Sequence, residues 1–235
     1  MNADEVIAQI KKLGKASYKK TMLNHGVKEP IYGASIADMK KIVKGVKKDQ
    51  KLALDLYASG IYDAMYLAGL VADDEKFTKK DLETWVEKAN CAPLADYTVA
   101  WVAAGSPYGR ELALAWIDSK RELTACAGWS TLSGIVAITD DADLDLAELR
   151  QLIDRVAKTI HQQPNRVRYS MNGFVLAAGG FVKALTADAV AAAKKMGTVE
   201  VDMGDTSCQV PSIVDYLAKM KARGVIGKKK KTVKC

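Results

Sequence analysis

Residues 145–160 read DLAELRQLIDRVAKTI, and the spacing within them decides the fold. Leu146, Leu149, Leu152, Ile153, Val156 and Ile160 recur at steps of three and four, which stacks them on one face of a 3.6-residue helix. Asp145 stands where a capping oxygen is needed, and Glu148 puts an N3 carboxylate beside the orphan N–H groups of the first turn. The same signals extend outward in both directions. Ser35 with Asp38 and Thr78 with Asp81 repeat the start, and Ser106-Pro107 and Val210-Pro211 offer proline to a first helical turn. Gly14, Gly26, Gly45, Gly60, Gly105 and Gly197 stand near the expected ends.

These signals predict about thirteen short helices, starting near residues 4, 17, 35, 49, 61, 78, 94, 107, 121, 145, 164, 186 and 211. The starts lie about 17 residues apart, so helix pairs recur at about 35 residues, the period of stacked helical hairpins rather than of a four-helix bundle. The expected architecture is all-α, a curved solenoid formed by residues 1–223 as one domain. Residues 224–235 have no apolar period and read as a mobile basic arm or a loosely docked end. One stretch departs from helix. In 197–211, GTVEVDMGDTSCQVP, Val199, Val201 and Met203 alternate with polar residues and Gly204-Asp205 offers a turn, which predicts a small β-hairpin at 198–209. With Glu200, Asp202 and Asp205 and no base, that hairpin reads as an end cap rather than a groove probe.

A chain of 235 residues, 49% hydrophobic and 27% charged, can bury a substantial core, which excludes disorder and a stapled mini-protein. No run of about 18 apolar residues occurs, and the N-terminus lacks the order of a signal peptide, so a cytoplasmic protein off the membrane is expected. Cys91, Cys126, Cys208 and Cys235 show no paired spacing, and His25 and His161 are the only histidines. Neither a disulfide framework nor a metal site is expected, and no cofactor motif is present. GxGxxG, GxxxxGK[ST], HExxH and GxSxG are all absent, which removes the common nucleotide-binding and hydrolase readings.

The net charge of +7 hides its own distribution. Residues 1–51 carry twelve Lys against five acids, residues 52–218 fifteen bases against twenty-three acids, and residues 219–235 eight bases and no acid. Basic character thus belongs to the two ends. Lys11, Lys12, Lys15, Lys19 and Lys20 form one row, and Lys40, Lys41, Lys44, Lys47, Lys48 and Lys51 another. Such rows suit a phosphate backbone, which rewards many weak contacts through counterion release. They suit equally a solvated surface, and a protein scaffold or an enzyme stays open on these grounds. Trp85, Trp101 and Trp116 lie within apolar helical runs and are expected in the core. Trp129, between Gly128 and Ser130, has small neighbours that leave room for a ligand, and Arg166 and Arg168 follow Pro164 at the start of a late helix, where backbone N–H groups assist phosphate contact.

The stretch from Pro30 to Lys44, PIYGASIADMKKIVK, followed by Leu56 to Ala64, LYASGIYDA, and by Leu67-Ala68, resembles the opening of the AlkD-like DNA alkylation repair proteins. The similarity continues through Ala127-Gly128-Trp129-Ser130, Ser170-Met171-Asn172 and Val199-Glu200-Val201-Asp202. The resemblance implies a superhelix of HEAT-like repeats whose basic concave face cradles DNA. In active members two Trp faces hold a cationic alkylated base, an Asp stabilises charge developing at the sugar, and an Arg fixes the backbone. Here Asp96 keeps the carboxylate, Ala92 stands where the first aromatic belongs, and Ser130 to Ser133 follow Trp129 without a guanidinium. The second aromatic position falls at Gly173, beside Phe174.

The resemblance therefore points to the branch of the family without base excision, binding duplex, branched or damaged DNA as a monomer. The contacts it implies, taken with the charge rows, are Lys19, Lys20, Tyr32, Lys40, Lys41, Lys44, Trp129, Arg166 and Arg168. Two alternatives stand beside it: an alkylpurine glycosylase using Asp96 as its catalytic residue, and a non-enzymatic protein-interaction scaffold docking through the acidic middle.

Overall fold

The structure is a computed structural model that describes residues 1–234; Cys235 lies outside the described residues. Thirteen α-helices follow one another: α1 (Ala3–Leu13), α2 (Ala16–Asn24), α3 (Ile36–Val46), α4 (Gln50–Ala58), α5 (Tyr62–Val71), α6 (Lys79–Lys88), α7 (Ala100–Gly105), α8 (Gly109–Trp116), α9 (Glu122–Ile138), α10 (Leu146–Thr159), α11 (Asn165–Phe181), α12 (Thr186–Met196) and α13 (Ile213–Ala222). A π-helical turn, Leu94–Val99, runs directly into α7.

The caps read from the sequence form. Ser35 accepts from the Asp38 N–H, Thr78 and Asp81 close a reciprocal capping box, and Asp145 accepts from the N–H groups of Ala147 and Glu148. Pro107 and Pro211 instead lie two residues ahead of α8 and α13. The helices stack in two rows. An outer row of α4, α6, α8, α10 and α12 backs an inner row in which α5, the π turn, α9 and α11 pack against one another in sequence. Close approach within a pair needs small residues. A Cβ on Gly128 of α9 would come within 2.7 Å of the Ile117 nitrogen just after α8. One continuous core runs the length of the stack, from Val6 and Ile10 through Trp85 and Trp129 to Leu217.

Residues 198–209 form no strand, contrary to the hairpin that their alternation predicts. Their backbone groups are taken elsewhere. Asn165, the first residue of α11, donates through Nδ2 to the Asp202 carbonyl at 2.8 Å and accepts from the Asp202 N–H through Oδ1 at 2.8 Å. The Gly204 N–H bonds back to Asp202 Oδ1 at 2.9 Å, leaving no ladder between two arms. Gly204, at φ +70°, lies so close to α2 that a Cβ would come within 2.8 Å of the Asn24 carbonyl oxygen. The segment is a loop that bridges α11 to α2.

Residues 225–234 are not a free arm. They run across the C-terminal ends of three inner helices, whose last carbonyls have no partner within their own helix. The Gly227 N–H donates to the Gly180 carbonyl at 2.8 Å and the Lys230 N–H to the Ala137 carbonyl at 2.8 Å. Lys229 Nζ donates to the Val136 carbonyl at 2.9 Å, and Lys234 Nζ donates to the Ala72 carbonyl at 2.9 Å and to Asp74 Oδ1 at 2.6 Å. Lysines suit this course because helix C-termini carry the negative end of the backbone dipole.

Candidate nucleic-acid interface

Two hollows open on the inner face and meet at a ridge formed by Tyr97 and Tyr169. The first, of about 240 Å³, lies between α2, α3, α5, the π turn, the start of α11 and the bridging loop. The second, of about 250 Å³, has small residues of α9 and α11 as its floor (Ser130, Ser133, Gly134, Ser170, Gly173, Ala177) and Lys230 and Val233 of the tail as one wall.

Asp96 lies between them, and the π turn explains its position. The widened turn aims Asp96 at α9 and α11, leaves Tyr97 43% exposed, and seats Thr98 against Gly69 of α5. Both Ser130 Oγ, at 2.8 Å, and Ser170 Oγ, at 2.7 Å, donate to the same oxygen, Asp96 Oδ1. Arg166 approaches the other oxygen at 3.9 Å. Burial pushes the Asp96 carboxyl above its ordinary range, against the opposing pull of Ser170, Ser130 and Arg166. A guanidinium does reach this carboxylate, but from the start of α11 rather than from the positions after Trp129.

Arg166 is held on several sides. Its guanidinium lies 4.9 Å from the Tyr169 ring centre and reaches Met203 Sδ at 3.3 Å. Its Nε–H is buried without a hydrogen-bond partner among the described residues, a situation that typically costs about 1–3 kcal/mol. Arg168 lines neither hollow. Trp129 is 1% exposed, packed on Phe174 at 5.3 Å with Arg155 over its ring at 5.6 Å, so it is core and offers no face to a base. Tyr32 is half-buried, with its N–H bound to Asp63 and Lys11 over its ring.

The predicted lysines divide by helical face. Ile36 and Met39 of α3 line the first hollow, and Lys40 and Lys44 continue the Ile36 stripe at steps of four, exposed to solvent. Lys41 is exposed and paired with Asp38 at 2.8 Å, while Lys19 is half-buried and paired with Glu29 at 2.6 Å. On α2, Tyr18 and Met22 line the same hollow, whereas Lys20, two residues from each, is exposed on the opposite face of the helix. At the opposite side, Lys230 reaches the second hollow, with Lys228 and Lys231 exposed beside it. The two basic ends of the chain thus flank one face. Among the described residues no group of three or more His, Cys, Asp and Glu could hold a metal ion.

Residues 6–200 match the family described as DNA alkylation repair enzyme. The chain belongs to the DNA alkylation repair family. Within it, the chain is 31% identical over 225 residues to an uncharacterised protein of Listeria innocua serovar 6a, covering 94% of this chain and 97% of that protein. An uncharacterised protein of Listeria monocytogenes serovar 1/2a is 30% identical over the same share of each chain. A solved structure described as "a new family of proteins related to the HEAT-like repeat DNA glycosylases with affinity for branched DNA structures" superposes with a TM-score of 0.92, at 33% identity and full coverage of both chains. This member of the DNA alkylation repair family therefore has the HEAT-like repeat fold that its sequence resembles.

Trp101 is in the core, as expected, at 7% exposure, but the tyrosines that join it on the inner face went unread in the sequence. Tyr62, Tyr66, Tyr97 and Trp101 form a chain of ring contacts, with Tyr66 edge-on to Trp101 at 5.4 Å and Tyr97 tilted on it at 5.7 Å. Their spacing looks like core because they fall on two helical segments whose other residues are almost all buried. Only the π turn at Asp96 rotates Tyr97 outward, and no sequence pattern announces a π turn.

Proposed function

We propose that this protein binds branched DNA across its hollowed inner face, through backbone contacts and without excising bases. The observation that carries the reading is the arrangement of charge. Lys40 and Lys44 continue the α3 stripe that lines the hollow on one side of the tyrosine ridge, and Lys230 lines the hollow on the other, although they stand at opposite ends of the sequence. A duplex with a branch presents phosphates on both sides of a central discontinuity, which suits two cationic flanks around an aromatic centre. The solved relative's described affinity for branched DNA supports the same reading.

Absence of excision rests on the state of Asp96. Its carboxylate is 6% exposed and engaged by two serine hydroxyls, and Ala92 and Gly173 stand where aromatic walls would hold a cationic base. The test is a salt series with a four-way junction and a duplex of equal length. Binding should weaken steeply with salt, and replacing Lys40, Lys41 and Lys44 by Ala should flatten the log–log slope by about 2–3. No DNA binding, or a flat slope, would overturn the reading. Release of free base from DNA containing 7-methylguanine, abolished in Asp96→Asn, would establish excision instead.

A further inference from the structure

The first hollow is built from rings to an extent that phosphate binding does not require. Tyr18 of α2, Tyr62 and Tyr66 of α5, Tyr97 of the π turn and Tyr169 of α11 all line it, together with the methionines Met22, Met39 and Met203. Among the described residues no carboxylate side chain lines it, and its charged side chain is Arg166, which lies over Tyr169, with His25 the other titratable base in the lining. An aliphatic partner would need no such rings. A phosphate would use the guanidinium alone and leave the rings without a role, and the lysines stand outside, on the exposed stripe of α3. A flat, uncharged heteroaromatic ring with acceptor atoms on its edge meets every feature: faces to stack on, sulfur atoms against ring edges, and a guanidinium at the rim to meet an acceptor.

We propose that this hollow receives one unpaired nucleobase from the branch point, stacked against Tyr97 and Tyr169, with the partly exposed guanidinium of Arg166 at a carbonyl or ring nitrogen on its edge. This site rests on the reading of the inner face as a branched-DNA surface and names which part of the branch is recognised. The hollow's position agrees with it. Tyr97 is the exposed ring at the mouth, and Lys40 and Lys44 lead away from the mouth along α3, where the sugar-phosphate strand of the inserted nucleotide would continue. Stacking is indifferent to base identity because every base offers a π face, so a preference for unpaired structure rather than for sequence is expected.

Photocrosslinking with the full chain tests it. A forked DNA carrying 5-iodouracil at the first unpaired position should crosslink to the peptide containing Tyr97 or Tyr169, and the same probe within a paired arm should not. In parallel, the wild type should bind the fork more tightly than a fully paired four-way junction. Tyr97→Ala should weaken the fork by at least about fivefold and erase that preference, whereas Tyr97→Phe should retain it. Tyr97 is 43% exposed and its ring packs on Trp101, so a thermal melt of both variants accompanies the binding measurement, and Tyr97→Phe keeps the ring contact. Crosslinking only to lysine-rich peptides, or an undiminished fork preference in Tyr97→Ala, would overturn the base site while leaving DNA binding standing. Failure to bind either DNA would overturn the underlying reading and the base site with it.

Discussion

At Asp63, at the start of α5, one carboxylate gathers three backbone donors. The N–H groups of Tyr32, Gly33 and Ala34 reach it at 2.7, 3.1 and 2.8 Å, which pins the approach to α3 against the inner row. Gly33, at φ +84°, turns the chain there with its α-carbon pressed on α2. Asp63→Ala would leave three buried donors unsatisfied, and a loss of about 3 kcal/mol or more is expected, a fall in Tm of about 6–12 °C at this chain length. A denaturant melt showing less than about 1 kcal/mol would contradict that account. Asp96 is held by side-chain hydroxyls instead of backbone donors. Its carboxyl, like that of Asp63, is raised by burial, so the folded protein binds the proton more tightly than the unfolded chain does. Stability from this group is therefore greatest in acid and declines as pH rises from the ordinary Asp value through the raised folded one. Because both serines donate to Oδ1, Asn keeps those bonds and removes the charge. Asp96→Asn should melt above the wild type at pH 7, with the gap closing toward pH 4; a gap independent of pH would refute this assignment. A carboxylate kept at a cost to folding is a feature of functional surfaces.

Among the elements, the helices were legible and the connections were not. Repeating caps and apolar steps of three and four locate α3, α6 and α10 because those signals are local, acting within one turn. The loop at 198–209 looked like a hairpin because alternation is also local, yet its partners, Asn165 and Asn24, lie far along the chain. The tail was unreadable for the same reason: its residues are placed by the orphan carbonyls at the ends of α5, α9 and α11, which no run of basic residues reveals. Lys234 and Asp74 show what that docking contributes. Their side chains are only 12% and 17% exposed, and burial pushes the lysine's pKa down and the aspartate's up, against their mutual attraction. Removing one partner strands the other. Lys234→Ala should cost about 2–4 kcal/mol in a denaturant melt, and a double-mutant cycle with Asp74→Ala should return much of that as coupling. Additive effects would mean that the tail rests on the surface without holding it.

For the whole molecule, the net charge conveyed less than its placement. The basic ends and the acidic middle were visible in the sequence, but that the ends meet across one face follows only from the superhelix that brings them there. The sequence also pointed to Trp129 as the aromatic open to a ligand, whereas the fold buries it and exposes Tyr97; small neighbours at Gly128 and Ser130 admit packing helices rather than a base. In a stack of repeats each unit ordinarily touches only its neighbours, which lets such proteins gain or lose a unit without disturbing the rest. Here the loop joins α11 to α2, and the tail joins residues 160 and more positions apart at Asp74 and Ala72. Each bridge has a length set by its own residues, so one more helix pair would carry its anchor out of reach. The two bridges count the repeats, and this solenoid is held to the number it has.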